Sequence, residues 1–510
     1  MQFSDYPMST EGFDLADDHI PGEHVNDYLH DYAREFDLYK YIRLDCAVNS
    51  GIDEGSADWT IRVEQEFKPV KIEYKIKARK LIVATGLTSE PLMPVMEGNH
   101  AFGAPIYHIS QLAKAENGLG PFKKIVLLSG AKFSWDIACA YATAGVQVDW
   151  VIRESGHGPC CMMPNRLTPL KIIPEFLLQT RLITWLSPCI LDDGFSWIRS
   201  FFHQHWLGRK IVNTFFAKMQ HGVEKINNYD QHTETAKVKP WDDLFFIGTN
   251  RGLLNYGLDF FEFVRNGKIR IHVADIARLS HHTVHLSNGE ALGSDVLICG
   301  TGWKDTPQLN FVTKKELGLP GQISTSAKEH IAKADSEILQ TCPKLQDQPV
   351  PRRTKPLIEE KTASIREPYR LYRFMILPAF VKSRTLGFVG AYRSPATTII
   401  AQTQALWMTA FLDGQLPALK SPDDATAERI MYETILHTQF GKWRYSRGFG
   451  ARFPELWFDC LPYVDLMLKD VGIQNQRKKN LWAERFTPHM PADYIGIVDE
   501  YKAVVERSAQ

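Results

Sequence analysis

The 510-residue chain carries no net charge, with 59 basic and 59 acidic side chains. A nucleic-acid binder usually shows a basic excess, so that class is disfavoured. No C-x-x-C pair occurs among the eight cysteines, at 46, 139, 160, 161, 189, 299, 342 and 460. That argues against a zinc ribbon or a thioredoxin-type site, and leaves most of them as small buried residues. No apolar run reaches the roughly 18 residues that a membrane span needs. The start, Met1-Gln2-Phe3-Ser4-Asp5-Tyr6-Pro7, lacks a basic region followed by an apolar stretch, so no signal peptide is read and a cytoplasmic location is expected. There is no repeat and no low-complexity tract. Nor does any strand, glycine-rich loop and helix precede residue 81.

What is present reads as an α/β protein with room for roughly two or three domains. Residues 22–37 place Val25, Tyr28, Leu29, Tyr32, Ala33 and Phe36 on one helical face. Residues 60–66 and 70–76 read as a hairpin, and Leu81–Ala84 as a buried strand. Ile125–Leu128 reads as another, followed by a turn at Ser129–Lys132, a helix over about Trp135–Thr143, Gly145 as its stop, and a strand over Val146–Ile152. This βαβ unit has the length that a parallel sheet requires. Residues 155–250 break the pattern with dense aromatics, among them Trp185, Trp197, Phe201, Trp206 and Phe216. An inserted helical layer with its own core, a substrate lid, and a membrane-touching surface over 183–218 all fit that composition. Strands resume at Ile269–Val273 and Thr283–Leu286, with Asn288-Gly289 as a turn. Residues 319–366 read as a long loop. A short strand at Leu386–Gly390, a helix from about Pro395 to Asp413 with Gly414 as its stop, and aromatic-rich helices complete the chain.

Three segments bear on chemistry. Two strands end in Thr-Gly turns, Thr85-Gly86 and Thr301-Gly302. Glycine there lets backbone pass close to a bound molecule, although an ordinary strand-to-loop turn is the alternative. Between them, Ser129-Gly130-Ala131-Lys132-Phe133-Ser134 stands where a dinucleotide loop would. G-x-G-x-x-G loops need small residues for a tight turn, for approach to pyrophosphate and for helix–strand packing. Ser129, Ala131 and Ser134 fill the three slots, Gly130 lies between the first two, and the helix N-terminus behind them attracts phosphate. Arg153, just past the second strand, is placed to meet the 2′-phosphate of NADP. A βαβ unit that binds nothing, with Arg153 merely solvated, is the alternative.

Phe3-Ser4-Asp5-Tyr6-Pro7, Val25–Arg43, Ala84–Pro94 and Phe102–His108, with Ala104 in a glycine slot of the last, together resemble the class B flavin-dependent monooxygenases, the flavin-containing and Baeyer–Villiger types. The similarity runs over about residues 1–420. The tail, through Gly441–Tyr445 and Gly448–Pro454, resembles a fungal secondary-metabolite branch. The resemblance implies FAD and NADPH as cofactors and a small organic substrate. NADPH would reduce FAD, and oxygen would add to give a C4a-(hydro)peroxyflavin that oxidises the substrate, while the protein holds the cofactors and excludes water. It further implies that Thr85, Gly86 and Gly302, with Thr301 beside the last, line the FAD domain. The helix at Ser394, Thr397 and Thr398 would aim its N-terminus at the flavin ring; a plain helix capped by Ser394 ahead of Pro395 is the alternative. His108 would approach the nicotinamide, with a structural role as its alternative.

The expected architecture is two dinucleotide-binding-type domains and a helical extension over 421–510. The first domain, 1–120 and 286–420, is split by the second, 121–285. Leu81–Ala84 and Val296–Cys299 are expected in one sheet, Ile125–Leu128 and Val146–Ile152 in another. In the family the FAD phosphate loop lies upstream of the segment with which this chain begins. A misplaced start codon or a shortened gene would explain that, and the 510-residue chain is expected to hold little FAD. The rival is a flavin-free descendant, a cofactor-independent cyclase, isomerase or binding module. The degenerate loop at 129–134 favours the rival; the intact Leu81–Pro94 segment favours the monooxygenase. Oligomeric state is not legible.

Overall fold

The computed structural model describes residues 2–9, 11, 20–55, 58–67, 70–112, 119–166, 173–304, 309–315, 328–349, 369–420, 423–445, 450 and 452–509. In chain order its strands are β1 (Cys46–Asp53), β2 (Trp59–Phe67), β3 (Val70–Ala78), β4 (Leu81–Val83), β5 (Ile106–His108), β6 (Lys124–Leu128), β7 (Gln147–Ile152), β8 (Cys161–Pro164), β9 (Arg251–Leu254), β10 (Ile269–Val273), β11 (Ile276–Ser280), β12 (Thr283–Leu286), β13 (Ala291–Gly293), β14 (Val296–Cys299), β15 (Asn310–Val312) and β16 (Leu386–Phe388).

A five-stranded sheet in the order β10-β7-β6-β14-β5, parallel at every pairing, lies at the centre of the βαβ region. Its middle strands are apolar without alternation because both faces are covered: Ile125, Val126, Leu127 and the whole of β14 are buried. The helix Lys132–Thr143 returns along one face and packs Trp135 edge-on against Trp150 of β7, ring centroids 5.2 Å apart. Gly145, at φ 84°, ends that run and turns the chain into β7.

The expectation that the two Thr-Gly strands share one sheet is overturned. β14 lies between β6 and β5, whereas β4 pairs with β16. The arrangement repeats inside the chain, which gives the reason. The antiparallel set β11–β13 leads directly into β14, and the antiparallel hairpins β1–β3 lead directly into β4. Each Thr-Gly strand thus follows its own meander and joins its own sheet. The second sheet consequently extends past 121–285 on both sides, through β5 and β14. β15 pairs in parallel with β1 and returns the chain to the first half.

On β4, the edge away from β16 carries no strand among the described residues, and Ile82 is 45% exposed there. The expected apolar face of the first helix, Gly22–Glu35, is covered only in part: Tyr28 is buried, while Leu29 and Phe36 are exposed.

Helices between β8 and β9 make up the aromatic-rich insertion, and they do not form a separate core. Ile183, Val212, Phe216 and Phe245 pack with Ala334, Ile338, Ile435, Phe440 and Phe458 in one cluster. The Lys328–Thr341 helix at the heart of this cluster overturns the expectation of a loop for that stretch; residues 316–327 and 350–368 lie outside the described residues. Arg181 fastens the insertion to the tail, with Asp465 at 2.5 Å and Glu484 at 2.6 Å, all three side chains at most 3% exposed.

Candidate functional site

The loop after β6 is built by close packing. Cys160 donates its N–H to the Gly130 carbonyl at 2.7 Å, and a Cβ at position 130 would stand 2.3 Å from the Gly158 carbonyl oxygen. Only glycine fits that approach. Ser129 turns its hydroxyl onto the Ala131 N–H at 3.0 Å. Ser134 is buried with no hydrogen-bond partner for its hydroxyl, and it packs where a Cβ on Gly300 would lie 2.7 Å away. These small residues therefore serve the helix–strand contact that glycine serves in G-x-G-x-x-G loops. Behind them the Lys132–Thr143 helix begins without a side-chain cap, which leaves its N-terminus suited to an anion. Lys132 bonds Asp136 and the Tyr256 hydroxyl.

Arg153 follows the end of β7, next to the central strand. Its Nη2 donates to Ser155 Oγ at 3.1 Å, and its Nε lies 3.7 Å from Asp275 just past β10; Ser155 in turn donates to Asp275 at 2.5 Å. Burial pulls the guanidinium pKa down, against the opposing influence of Asp275. The cation is thus held by neighbours at the carboxyl ends of two strands, the edge at which open α/β sheets bind ligands.

The second Thr-Gly turn contacts the segment that follows the first. Leu92 donates its N–H to the Gly302 carbonyl at 3.0 Å, Thr301 Oγ1 donates to the Leu92 carbonyl at 2.5 Å, and Pro91 bridges Trp303. Ser89 Oγ reaches back to the Thr85 carbonyl at 2.5 Å. At the same end of the β4–β16 pair, Val389 donates to the Val83 carbonyl at 3.0 Å. Gly86, Gly302 and Gly390 all have positive φ, and a Cβ on any of them would meet open space. Each of the three turns thus presents bare backbone with room beside it.

Ser394 does not cap the following helix, so the alternative of a plain helix capped by this serine does not hold. The helix is Thr397–Leu412, its N-cap position is Ala396, and Ser394 instead closes a turn by accepting the Ala396 N–H at 3.1 Å. Thr397 Oγ1 donates to the Ser394 carbonyl, and Thr398 is half-buried in the first turn. The proline between them sets this geometry, because the ring suits a turn ahead of the helix. His108 is fully buried: one ring nitrogen lies 2.9 Å from the Gly302 carbonyl and the other 2.9 Å from Ser110 Oγ, while the ring stands edge-on to Trp303. Burial lowers its pKa. Its place supports the second Thr-Gly turn, and it has no exposed face to offer a ligand.

Sequence reasoning missed a junction made by the tail. Glu455 is buried, accepts the Thr249 N–H at 3.1 Å and the Thr249 hydroxyl, and its backbone bridges Arg393, one residue before Ser394. The available signal was Gly248, where a Cβ would collide with the Glu455 carboxylate and the Tyr445 ring. Burial raises the Glu455 pKa and pushes neighbouring Asp459 up to about 6. The cavity lined by Phe374, His437, Tyr445, Leu456 and Asp459 measures about 30 Å³. That suits about two waters rather than a substrate.

A family model described as flavin-binding monooxygenase-like matches residues 1–236. The FAD-dependent monooxygenase rstn6 of Aspergillus nomiae is 32% identical over 535 residues, covering 98% of this chain and 88% of the relative. An FAD-dependent monooxygenase of Pyrenophora dematioidea is 30% identical over 518 residues, covering 95% and 89%. Among solved structures, steroid monooxygenase bound to NADP superposes with a TM-score of 0.53 at 15% identity, covering 92% of this chain and 88% of that one. The closed form of cyclohexanone monooxygenase gives 0.53 at 13% identity, covering 88% and 82%. Those two share the fold; the identity of the Aspergillus relative along nearly its whole length goes further, and by it this chain belongs to the flavin-binding monooxygenase-like family.

Proposed function

We propose that the protein is an NADPH-dependent flavin monooxygenase that oxidises a small organic molecule. One observation carries the nicotinamide part. In the order β10-β7-β6-β14-β5, the central strand β6 runs through Ser129, Gly130 and Ala131 into an uncapped helix, and Arg153 stands at the end of the adjoining strand. The described residues fit a dinucleotide there. The helix N-terminus takes the pyrophosphate and Arg153 the 2′-phosphate.

The fit to FAD is incomplete. The turns at Gly86, Gly302 and Gly390 and the start of the Thr397–Leu412 helix suit a flat ring that needs bare backbone and a helix N-terminus beside it. Among the described residues, however, the β4–β16 pair has no strand, loop and helix beside it to cradle a pyrophosphate. When both groups are bound, the nicotinamide supplies hydride and the flavin activates oxygen. The chain's own residues orient the nicotinamide nucleotide through the 129–131 loop, and hold the Gly302 turn rigid through His108 and Thr301.

The test is NADPH consumption with added FAD, compared with NADH. Arg153→Ala should weaken NADPH about ten- to hundredfold, as the loss of a charge-assisted contact does, and leave NADH nearly unchanged. An equal loss for both nucleotides overturns the assignment of Arg153. Failure of the parent to oxidise either nucleotide overturns the function.

A further inference from the structure

From Gly194 to Val223 the sequence contains no Asp or Glu, while Arg199, Arg209, Lys210 and Lys218 all fall within it. This stretch makes two helices of the insertion, Ser196–Gln204 and Trp206–Asn227. They meet at a tight corner on His205, whose ring accepts the Leu207 N–H at 3.3 Å. The corner is stiff. A Cβ on Gly208 would lie 2.0 Å from the Phe201 carbonyl oxygen and 2.6 Å from Phe202 Cα, so the helices cross backbone on backbone. Beneath it, Arg199 is locked to buried Asp193 at 2.5 Å, and Val212 and Phe216 enter the helical core.

The outer side is apolar and open. Trp197 is 70% exposed and Trp206 64%, with Phe201, Leu207 and Ile211 each at about two-fifths. Trp197 and Phe201 are one helical turn apart on the first helix, and Phe201, His205 and Trp206 form a chain of adjacent rings. On the second helix, Ile211, Leu207, Lys210 and Trp206 span one continuous arc at 100° per residue, away from buried Gly208 and Val212. Exposed Arg209 and Lys210 flank the rings, and exposed Lys218 lies about three turns further along the second helix from Trp206. The nearest carboxylates along the chain are engaged: Asp192 with Lys469, Asp193 with Arg199, and Glu224 with Lys239. Beside Arg209, Asp347 shares a cleft with Lys344.

We infer that this corner is a membrane-docking surface for a bilayer leaflet containing anionic lipid. Two indoles on a rigid corner, ringed by cations and free of acidic neighbours in sequence, match the interfacial zone, where tryptophan sits at headgroup level and Lys and Arg meet lipid phosphates. Among the described residues no helix is long and apolar enough to cross a membrane, so the contact is peripheral. Charge separates this partner from a second copy of the chain. A two-fold contact through the corner would set Lys210 against Lys210, whereas an anionic surface favours every cation present.

The test is co-sedimentation of the full chain with vesicles of phosphatidylcholine alone and of phosphatidylcholine with phosphatidylserine. The parent should bind the mixed vesicles, and more weakly as salt is raised. Trp197→Ser with Trp206→Ser should lower the partition coefficient at least tenfold on the mixed vesicles. Arg209→Gln with Lys210→Gln should lower it several-fold on them and leave binding to phosphatidylcholine unchanged. Both pairs lie on the surface, and unchanged thermal melts check the fold. The proposal is overturned if the parent binds neither vesicle, if the tryptophan variant binds as the parent does, or if light scattering shows a dimer that the tryptophan variant dissociates. Nucleotide oxidation in detergent-free buffer is independent of these outcomes.

Discussion

Replacing Arg181 by leucine should loosen the joint between the insertion and the tail more than most single substitutions would. The guanidinium is fully buried and donates to Asp465 at 2.5 and 3.2 Å and to Glu484 at 2.7 Å. The two carboxylates do not suffer equally. Glu484 keeps the N–H groups of Arg477 and Lys478, at 3.1 and 2.9 Å, on its other oxygen, while Asp465 has Arg181 as its hydrogen-bonding cation and the carboxylates of Asp193 and Glu484 as like-charged neighbours. Leaving a charge buried without its partner costs about 3–5 kcal/mol. Burial already pushes the Asp465 pKa up to about 7 with the arginine in place. Arg181 holds that pKa down, so without it the pKa rises further, the carboxyl of the variant takes up its proton from neutral pH downwards, and this limits the loss. The sign follows from linkage. A folded pKa above the unfolded value near 3.9 means that the native state binds the extra proton, so the variant loses stability as pH rises from about 4 through the raised pKa. Amide exchange in the peptides spanning Arg181–Leu186 and Cys460–Asp470 reads the local opening free energy directly, without assuming two-state unfolding of a chain this large. The single variant should open about 3 kcal/mol more easily at pH 8 and less so at pH 5.5. Adding Asp465→Leu should recover most of the loss, because apolar replacement of a whole buried pair is often neutral. A single variant within about 1 kcal/mol of the parent, or a double variant no better than the single, would refute the reasoning.

Other outcomes can be measured alongside. Gly130→Ala should collapse NADPH affinity while leaving the rest of the fold intact, since its methyl group meets the Gly158 carbonyl; overpacking of this kind costs about 1–3 kcal/mol, and unchanged affinity in a nucleotide titration would sink it. His437 is buried, and burial, followed by the charge of Arg373, holds its pKa down at about 3. The unfolded chain thus binds a proton that the native state refuses, so stability is lost as pH falls below about 6.5. Buried His203 and His489, each held down at about 4, act in the same direction, so His437→Leu should make that slope shallower in urea midpoints measured between pH 7 and pH 4; an unchanged slope would assign the acid lability elsewhere. The 510-residue chain should purify with well under one FAD per molecule, read from its visible absorbance, and a yellow protein of full occupancy would mean that another loop cradles the pyrophosphate.

The βαβ unit was legible because its signals are local. A buried run, three small residues, a helical face and Gly145 all lie within about thirty residues, the size of the motif itself. The Thr-Gly turns were legible for the same reason. What escaped was pairing. A strand buried on both faces, as Val296–Cys299 is, carries no mark of which neighbour it joins, so β14 was expected in the sheet of β4 although it lies beside β6. Likewise Ala334, Ile338 and Phe440 show only that they are apolar; that they complete the core of residues 178–246 depends on contacts more than a hundred residues away along the chain. The role of Ser394 stayed open in the sequence because a Ser-Pro start suits both a capped helix and a turn that precedes one.

Glu455 has a mechanical consequence. Its carboxylate holds Thr249, on the segment that leads into the nucleotide-side sheet, and its backbone holds Arg393, on the segment that leaves β16. A rotation of one half against the other must pull on this single residue from both ends. The tail thus ties two segments that lie more than a hundred residues apart in the chain through one residue, the first by its carboxylate and the second by its backbone.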